Sequence, residues 1–205
     1  MPVHTATRIA HVLLLLAGAG LISTHAFAQK KGASLPDSIA ISYYKTGEMQ
    51  GETPFKNGTR HGKAVFFYKD KTKMGECTFT AGLKNGMEIG YYENGKKKYE
   101  SFYKAGKQQG NSMIYYESGQ RKAQIGYRND VKDGLEIQWF PNGRKQAEIN
   151  VRNGKKEGLA TTWYDDGKKE SEFTFKADRP DGVSKYWDRV GTMHQKTWKN
   201  GVEKK

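Results

Sequence analysis

From Ser38 onward the chain alternates apolar and polar residues in runs of five to nine, rich in aromatics, Thr, Val and Ile. Between the runs stand nine Asn-Gly or Asp-Gly pairs, at 57–58, 85–86, 94–95, 133–134, 142–143, 153–154, 166–167, 181–182 and 200–201. Period-two alternation between such pairs predicts β-hairpins, and no stretch shows the i, i+3, i+4, i+7 spacing of an amphipathic helix.

The pattern repeats every 24 residues. A glycine recurs at Gly62, Gly86, Gly110, Gly134, Gly158 and Gly182. Five residues on stands an aromatic: Phe67, Tyr91, Tyr115, Trp139, Trp163, Trp187. A second aromatic follows it at Tyr68, Tyr92, Tyr116, Phe140 and Tyr164, and a second glycine at Gly95, Gly119, Gly143, Gly167 and Gly191. With a degenerate first copy carrying Tyr43, Tyr44 and Gly47, about seven units start near Ser34, Gly58, Gly82, Gly106, Asp130, Gly154 and Asp178. Such a period marks a repeat architecture. The expected fold is all-β: an elongated single antiparallel meander of hairpins, about fourteen strands, more than the ~10 that open sheets usually hold without twisting or curling.

Sharing of faces sets the expected loop. Tyr99, Ser101 and Tyr103 recur as Ala123/Ile125/Tyr127, Ala147/Ile149/Val151 and Ser171/Phe173/Phe175. A three-residue loop, Glu93-Asn94-Gly95 with a left-handed glycine, pairs Tyr92 with Lys96 and puts Tyr91 on the face of Tyr99, Ser101 and Tyr103. Tyr68, Tyr92, Tyr116, Phe140 and Tyr164 then share the other face with Glu76, Glu100, Gln124, Glu148, Glu172 and, after a one-residue deletion, Gln195. The last unit, 23 residues long, ends in Glu203-Lys204-Lys205, which suits the edge of a sheet.

Residues 1–28 stand outside the pattern. Arg8, an apolar run from Val12 to Ile22 and Ala26-Phe27-Ala28 read as a signal peptide. A linker (29–37), the repeat domain (38–201) and a C-terminal tail (202–205) follow, in a periplasmic or secreted protein. Removing Arg8 with the leader takes the formal charge from +13 to +12. A basic exported chain suits anionic surfaces, and its compartment excludes nucleic acid. The lone Cys77 closes no intramolecular disulfide and occupies the column of Ser101, Ile125, Ile149 and Phe173, where packing explains it.

Catalytic chemistry is scarce. After the leader only His61 and His194 remain, at different repeat positions; no nucleophile, metal or cofactor motif occurs, so no enzyme, metal or cofactor is expected. The candidate binding features are ladders. Phe67, Tyr91, Tyr115, Trp139, Trp163 and Trp187 form one; Lys73, Lys97, Arg121, Lys145 and Lys169, cross-strand from them, form a basic column. Cation–π pairing between the two is the structural role, and an anionic-ligand track the functional one.

In its period, its G-xxx-G-xxxx-[YFW]-[YF]-xxx-G pattern and its helix-free character, the chain from about Ser38 to Gly201 resembles the bacterial variant of the MORN repeat family, and within it the YwqK-type antitoxins. That resemblance implies stacked antiparallel hairpins and a scaffolding or dimerising role. Two functions follow as expectations: an exported scaffold that binds a protein partner or a second copy through its aromatic face, or a module that binds an anionic membrane or cell-wall surface.

Overall fold

A computed structural model describes residues 37–204 as one open antiparallel sheet of 17 strands. The leader and most of the linker lie outside the described residues. In chain order the strands are β1 (Ser38–Tyr43), β2 (Met49–Lys56), β3 (Thr59–Arg60), β4 (Gly62–Phe67), β5 (Lys73–Thr80) and β6 (Leu83–Tyr91). Next come β7 (Lys97–Lys104), β8 (Lys107–Tyr115), β9 (Arg121–Arg128), β10 (Val131–Trp139), β11 (Lys145–Arg152) and β12 (Lys155–Trp163). The series closes with β13 (Lys169–Lys176), β14 (Arg179–Pro180), β15 (Gly182–Trp187), β16 (Met193–Lys199) and β17 (Val202–Lys204). Strands adjacent in the chain pair with each other, and β2 with β4 and β13 with β15 close the two places where a short piece intervenes. Setting aside the two-residue pieces β3 and β14 and the short β17, fourteen strands remain, as the repeat predicts. Residues 202–204, set apart as a tail on sequence grounds, form that last edge strand against β16.

Two kinds of turn alternate along the ribbon. Inside a unit, the Tyr92 amide donates to the Lys96 carbonyl (2.8 Å) and the Gly95 amide to the Tyr92 carbonyl (2.9 Å), so the three-residue loop forms with Gly95 at φ 79°. Between units the turns have two residues, both left-handed: Asn57-Gly58 at φ 49° and 73°, Asn153-Gly154 at 48° and 79°. This is the type I′ geometry, whose twist matches that of the flanking strands.

Three of the nine Asn-Gly and Asp-Gly pairs do not turn the chain. Asn85-Gly86 and Asp133-Gly134 lie inside β6 and β10, and Asp181-Gly182 at the β14–β15 break. Here the positive φ of the glycine (124° at Gly86) forms a bulge. Cys77 pairs with Glu88 but Phe79 with Lys84, so two extra residues sit on the glycine strand. An even number leaves the faces unchanged.

A second bulge does change them. Tyr91 pairs with Lys97, yet Gly90 pairs with Tyr99, leaving Lys98 extra. One extra residue reverses the face of everything beyond it. Tyr99, Ser101 and Tyr103 therefore share a face with Gly90, Glu88 and Gly86, while Tyr91 shares the other with Ile89, Glu100 and Phe102, which corrects the face assignment drawn from the sequence. The Tyr99 ring covers Gly90 so closely that a Cβ there would stand 2.2 Å from it. The last unit lacks the bulge: Trp187 pairs with Met193 and Tyr186 with His194. Its missing residue is the bulge residue, and Gln195 duly opposes Lys185 in the carboxylate row.

With no second layer among the described residues, the core is the glycine-rich face itself. Ala64, Cys77, Phe79, Ala123, Ile125, Ala147, Ala160 and Ser184 are buried there under neighbouring side chains. Burial pushes the Cys77 thiol up to about 11, which suits a packing residue. Glu88 and Glu136 are also buried, each bonded to a lysine, Lys84 at 2.6 Å and Lys132 at 2.8 Å. Paired charges avoid the cost of an isolated buried carboxylate.

Candidate functional site

The opposite face carries every residue of the two expected ladders. Its central row alternates Glu76, Ile89, Glu100, Met113, Gln124, Ile137, Glu148, Thr161 and Glu172, each opposite the next across a strand pair. Toward the loops lie Phe67, Tyr91, Tyr115, Trp139 and Trp163, opposite Lys73, Lys97, Arg121, Lys145 and Lys169 in turn; Trp187 faces Met193. The acids thus stand beside the first aromatics, not beside Tyr92 and its copies as the sequence suggested. The Tyr115 hydroxyl donates to Glu100 Oε1 at 2.5 Å.

Four of the five cations reach past their own hairpins. Lys73 lies 5.5 Å from the Tyr91 ring centre, Arg121 4.9 Å from Trp139, Lys145 5.8 Å from Trp163 and Lys169 5.9 Å from Trp187. These contacts are between units, one repeat ahead of the cross-strand partner. The lysines are also neutralised along their own strands, by Glu76 (2.8 Å), Glu100 (2.7 Å), Glu148 (2.6 Å) and Glu172 (2.5 Å). Hydrogen bonds from Lys97 and Tyr115 hold Glu100 below the usual carboxylate range, and Lys97 is raised in return. Burial and that same carboxylate raise Tyr115 to about 12. Arg121 stands apart because Gln124 occupies the acid position of its unit. It covers Trp139, only 6 % exposed, at the edge of a shallow depression of about 340 Å³ bounded by Gly119, Gln120 and Gly143.

The repeat glycines Gly62, Gly86, Gly110, Gly134, Gly158 and Gly182 all have positive φ and touch neither ladder; their part is backbone shape. Among the described residues, no cluster of three or more His, Cys, Asp or Glu is arranged to hold a metal ion.

Three features of the site escape a reading by faces. First, where the second aromatic of a unit is a tyrosine it fastens the next unit: the hydroxyls of Tyr44, Tyr68, Tyr92, Tyr116 and Tyr164 donate to the carbonyls of Phe67, Tyr91, Tyr115, Trp139 and Trp187 at 2.7–2.9 Å. Burial raises Tyr68, Tyr92, Tyr116 and Tyr164. Second, the residue before the repeat glycine caps the next turn: Asn85 Oδ1 accepts from the Ala105 amide at 3.2 Å, and Asp133 Oδ2 from Asn153 at 3.2 Å. Third, beside the ladder apolar side chains stay open in two groups, one on β6–β7 and one on β12 and β15. Met87, Phe102, Val183 and Leu159 are 42–51 % exposed, with Leu83 and Val131 near them at the inter-unit turns. The signal was present in the sequence, since the residue after the repeat glycine is apolar at Met87, Leu135, Leu159 and Val183.

The MORN repeat variant model matches this chain at residues 36–57, 84–105 and 156–177. These three units are similar to the MORN repeat variant. Each matched window spans one hairpin, β1–β2, β6–β7 or β12–β13, the last two lacking only the first residue of the leading strand. The intervening units keep the same two bulges and the same ladders in register, and the last unit keeps the ladder without the second bulge. No curated protein matches this chain.

Proposed function

We propose that this chain is a non-catalytic, exported scaffold that holds a protein partner on the exposed apolar groups of its ladder face. The observation carrying this reading is a contrast on that face. Four of the five basic-column residues are bound to carboxylates, whereas Met87, Phe102, Leu159 and Val183 are left open to water. Exposed apolar groups of this kind, Met87 opposite Phe102 and Leu159 two strands from Val183, suit contacts with a partner, while paired surface charge adds little attraction for an anionic layer. The aromatic and basic ladders serve as a stiffener beside these apolar groups, and the likeness to YwqK-type antitoxins fits an envelope-acting protein as the partner.

A photo-crosslinking residue at Phe102 or Leu159 should trap a discrete protein adduct in producing cells, and the same probe at exposed Lys71 should not. Binding to anionic vesicles should be absent at low salt. No adduct, with vesicle pelleting that disappears as added salt shortens the Debye length from ~10 Å to ~3 Å, would overturn the reading in favour of an anionic surface. Export is checked by the N-terminus of the accumulated protein, expected at Gln29.

A further inference from the structure

The two ends of the sheet are built differently. β17 is three residues long, Val202-Glu203-Lys204, and Glu203 is tied to Lys196 at 2.9 Å. Short, charged edges resist pairing with another strand. β1 has six residues, Ser38 to Tyr43, none charged and all exposed, in a chain of net charge +13. Its bulge residue is supplied by β2: Tyr43 pairs with Met49 and Ser42 with Gly51, so β1 itself runs regularly. The Tyr44 amide bonds the Glu48 carbonyl across the first loop. Alternation along an antiparallel strand then turns the amides and carbonyls of Ile39, Ile41 and Tyr43 away from β2. Among the described residues nothing pairs with that outer side. The same three side chains are 64 %, 48 % and 58 % exposed and lie on one face.

We propose that β1 pairs antiparallel with β1 of a second copy of this chain, about a two-fold axis at Ile41. This inference does not rest on the protein-partner reading above. The register follows from complementarity. With Ile41 opposite its own copy, Ile39 faces Tyr43 of the second copy twice over, an aromatic against a β-branched residue in each case. Ala40 faces Ser42 of the second copy, small against small. At both ends Asp37 comes opposite Lys45 of the second copy, the only charged residues flanking the strand, and of opposite sign. Every opposed pair joins residues of the same parity, so the ladder faces of the two copies become continuous. The three outward residues of each copy would exchange hydrogen bonds across the axis, and a two-fold contact closes on itself instead of growing into a fibre. The poor edge at β17 stops the head-to-tail alternative.

Light scattering of the full chain as purified from producing cells should give the mass of two copies. Ile41→Lys sets two like charges across the axis and should halve that mass while leaving the circular dichroism unchanged, because Ile41 is half exposed. Asp37→Lys or Lys45→Asp alone should weaken the pair, and the two together restore it. Ile41→Cys should give a disulfide-linked dimer on mild oxidation, since opposed Cα atoms in such a pair lie about 5.5 Å apart; Val202→Cys should not, and Cys77 is buried. A parent protein of single-chain mass at every concentration would overturn the proposal, as would a dimer that Ile41→Lys leaves intact.

Discussion

The bulge at Lys98 makes a prediction that a regular hairpin cannot. It places the Tyr99 ring over Gly90, with a Cβ there 2.2 Å from Cε1, 2.7 Å from Cζ and 2.8 Å from Cδ1. Carbon atoms settle at about 3.5–4.0 Å, so in Gly90→Ala the ring must retreat by more than an ångström. Gly90 has no positive φ, so the substitution adds no backbone strain and the overlap alone is measured. Overpacking of this kind costs about 1–3 kcal/mol. With Tyr99→Ala already made, the clash vanishes and Gly90→Ala should gain the ~0.5 kcal/mol that alanine brings to a strand over glycine. Urea unfolding of the two single variants and the double, followed by circular dichroism, should give a coupling of about 2 kcal/mol. The repeat contains its own precedent: Phe66 pairs with Gly75, Gly90 with Tyr99 and Ile114 with Ala123, a large residue against a small one each time. Additivity within ~0.5 kcal/mol would refute the bulge and return Tyr99 to the face of Tyr91.

Phe140 is the one second aromatic among Tyr68, Tyr92, Tyr116, Phe140 and Tyr164 without a hydroxyl, so Phe140→Tyr should add the missing bond to the Trp163 carbonyl and stabilise by about 1 kcal/mol, read as a rise in urea midpoint. Tyr92→Phe should lose a similar amount by removing the 2.7 Å bond to Tyr115. Ala105 stands at φ 48° in a type I′ turn, a region that disfavours alanine; Ala105→Asn should stabilise by about 0.5–1 kcal/mol, and no gain would mean the turn is of another type. Glu100 has a folded pKa below its ordinary 4.5, so its contribution is present above that value and is lost as pH falls through the lower folded one. Glu100→Gln should therefore cost up to ~1 kcal/mol at neutral pH and converge with the parent in acid; a constant difference at all pH would show that the carboxylate charge is not what matters.

How much of this was legible in the residues follows from what a bulge does to counting. The 24-residue period, the hairpins, the three-residue loop and the number of long strands are properties of the spacing between positive-φ residues, and spacing is written directly in the chain. Faces depend on parity, and a single unpaired residue reverses parity without changing any spacing inside the unit. Lys98 and its counterparts Met74, Lys122, Gln146 and Glu170 share no single residue type, four polar and one apolar, and look like ordinary strand residues, so nothing in their type marks them as extra. The 23-residue last unit held the clue. A strand tolerates a deletion without scrambling its ladder only where the deleted residue was opposite nothing, and the deletion leaves Gln195 in the acid row. Applied to every unit, that inference moves Glu76, Glu100, Glu148 and Glu172 from the second aromatics to the first. There they meet Lys73, Lys97, Lys145 and Lys169, and the basic column, free on paper, becomes a neutralised rib. The same parity step exposes what the rib supports: Met87 and Phe102 come opposite each other on that face, and the open surface of the repeat is apolar beside its charges.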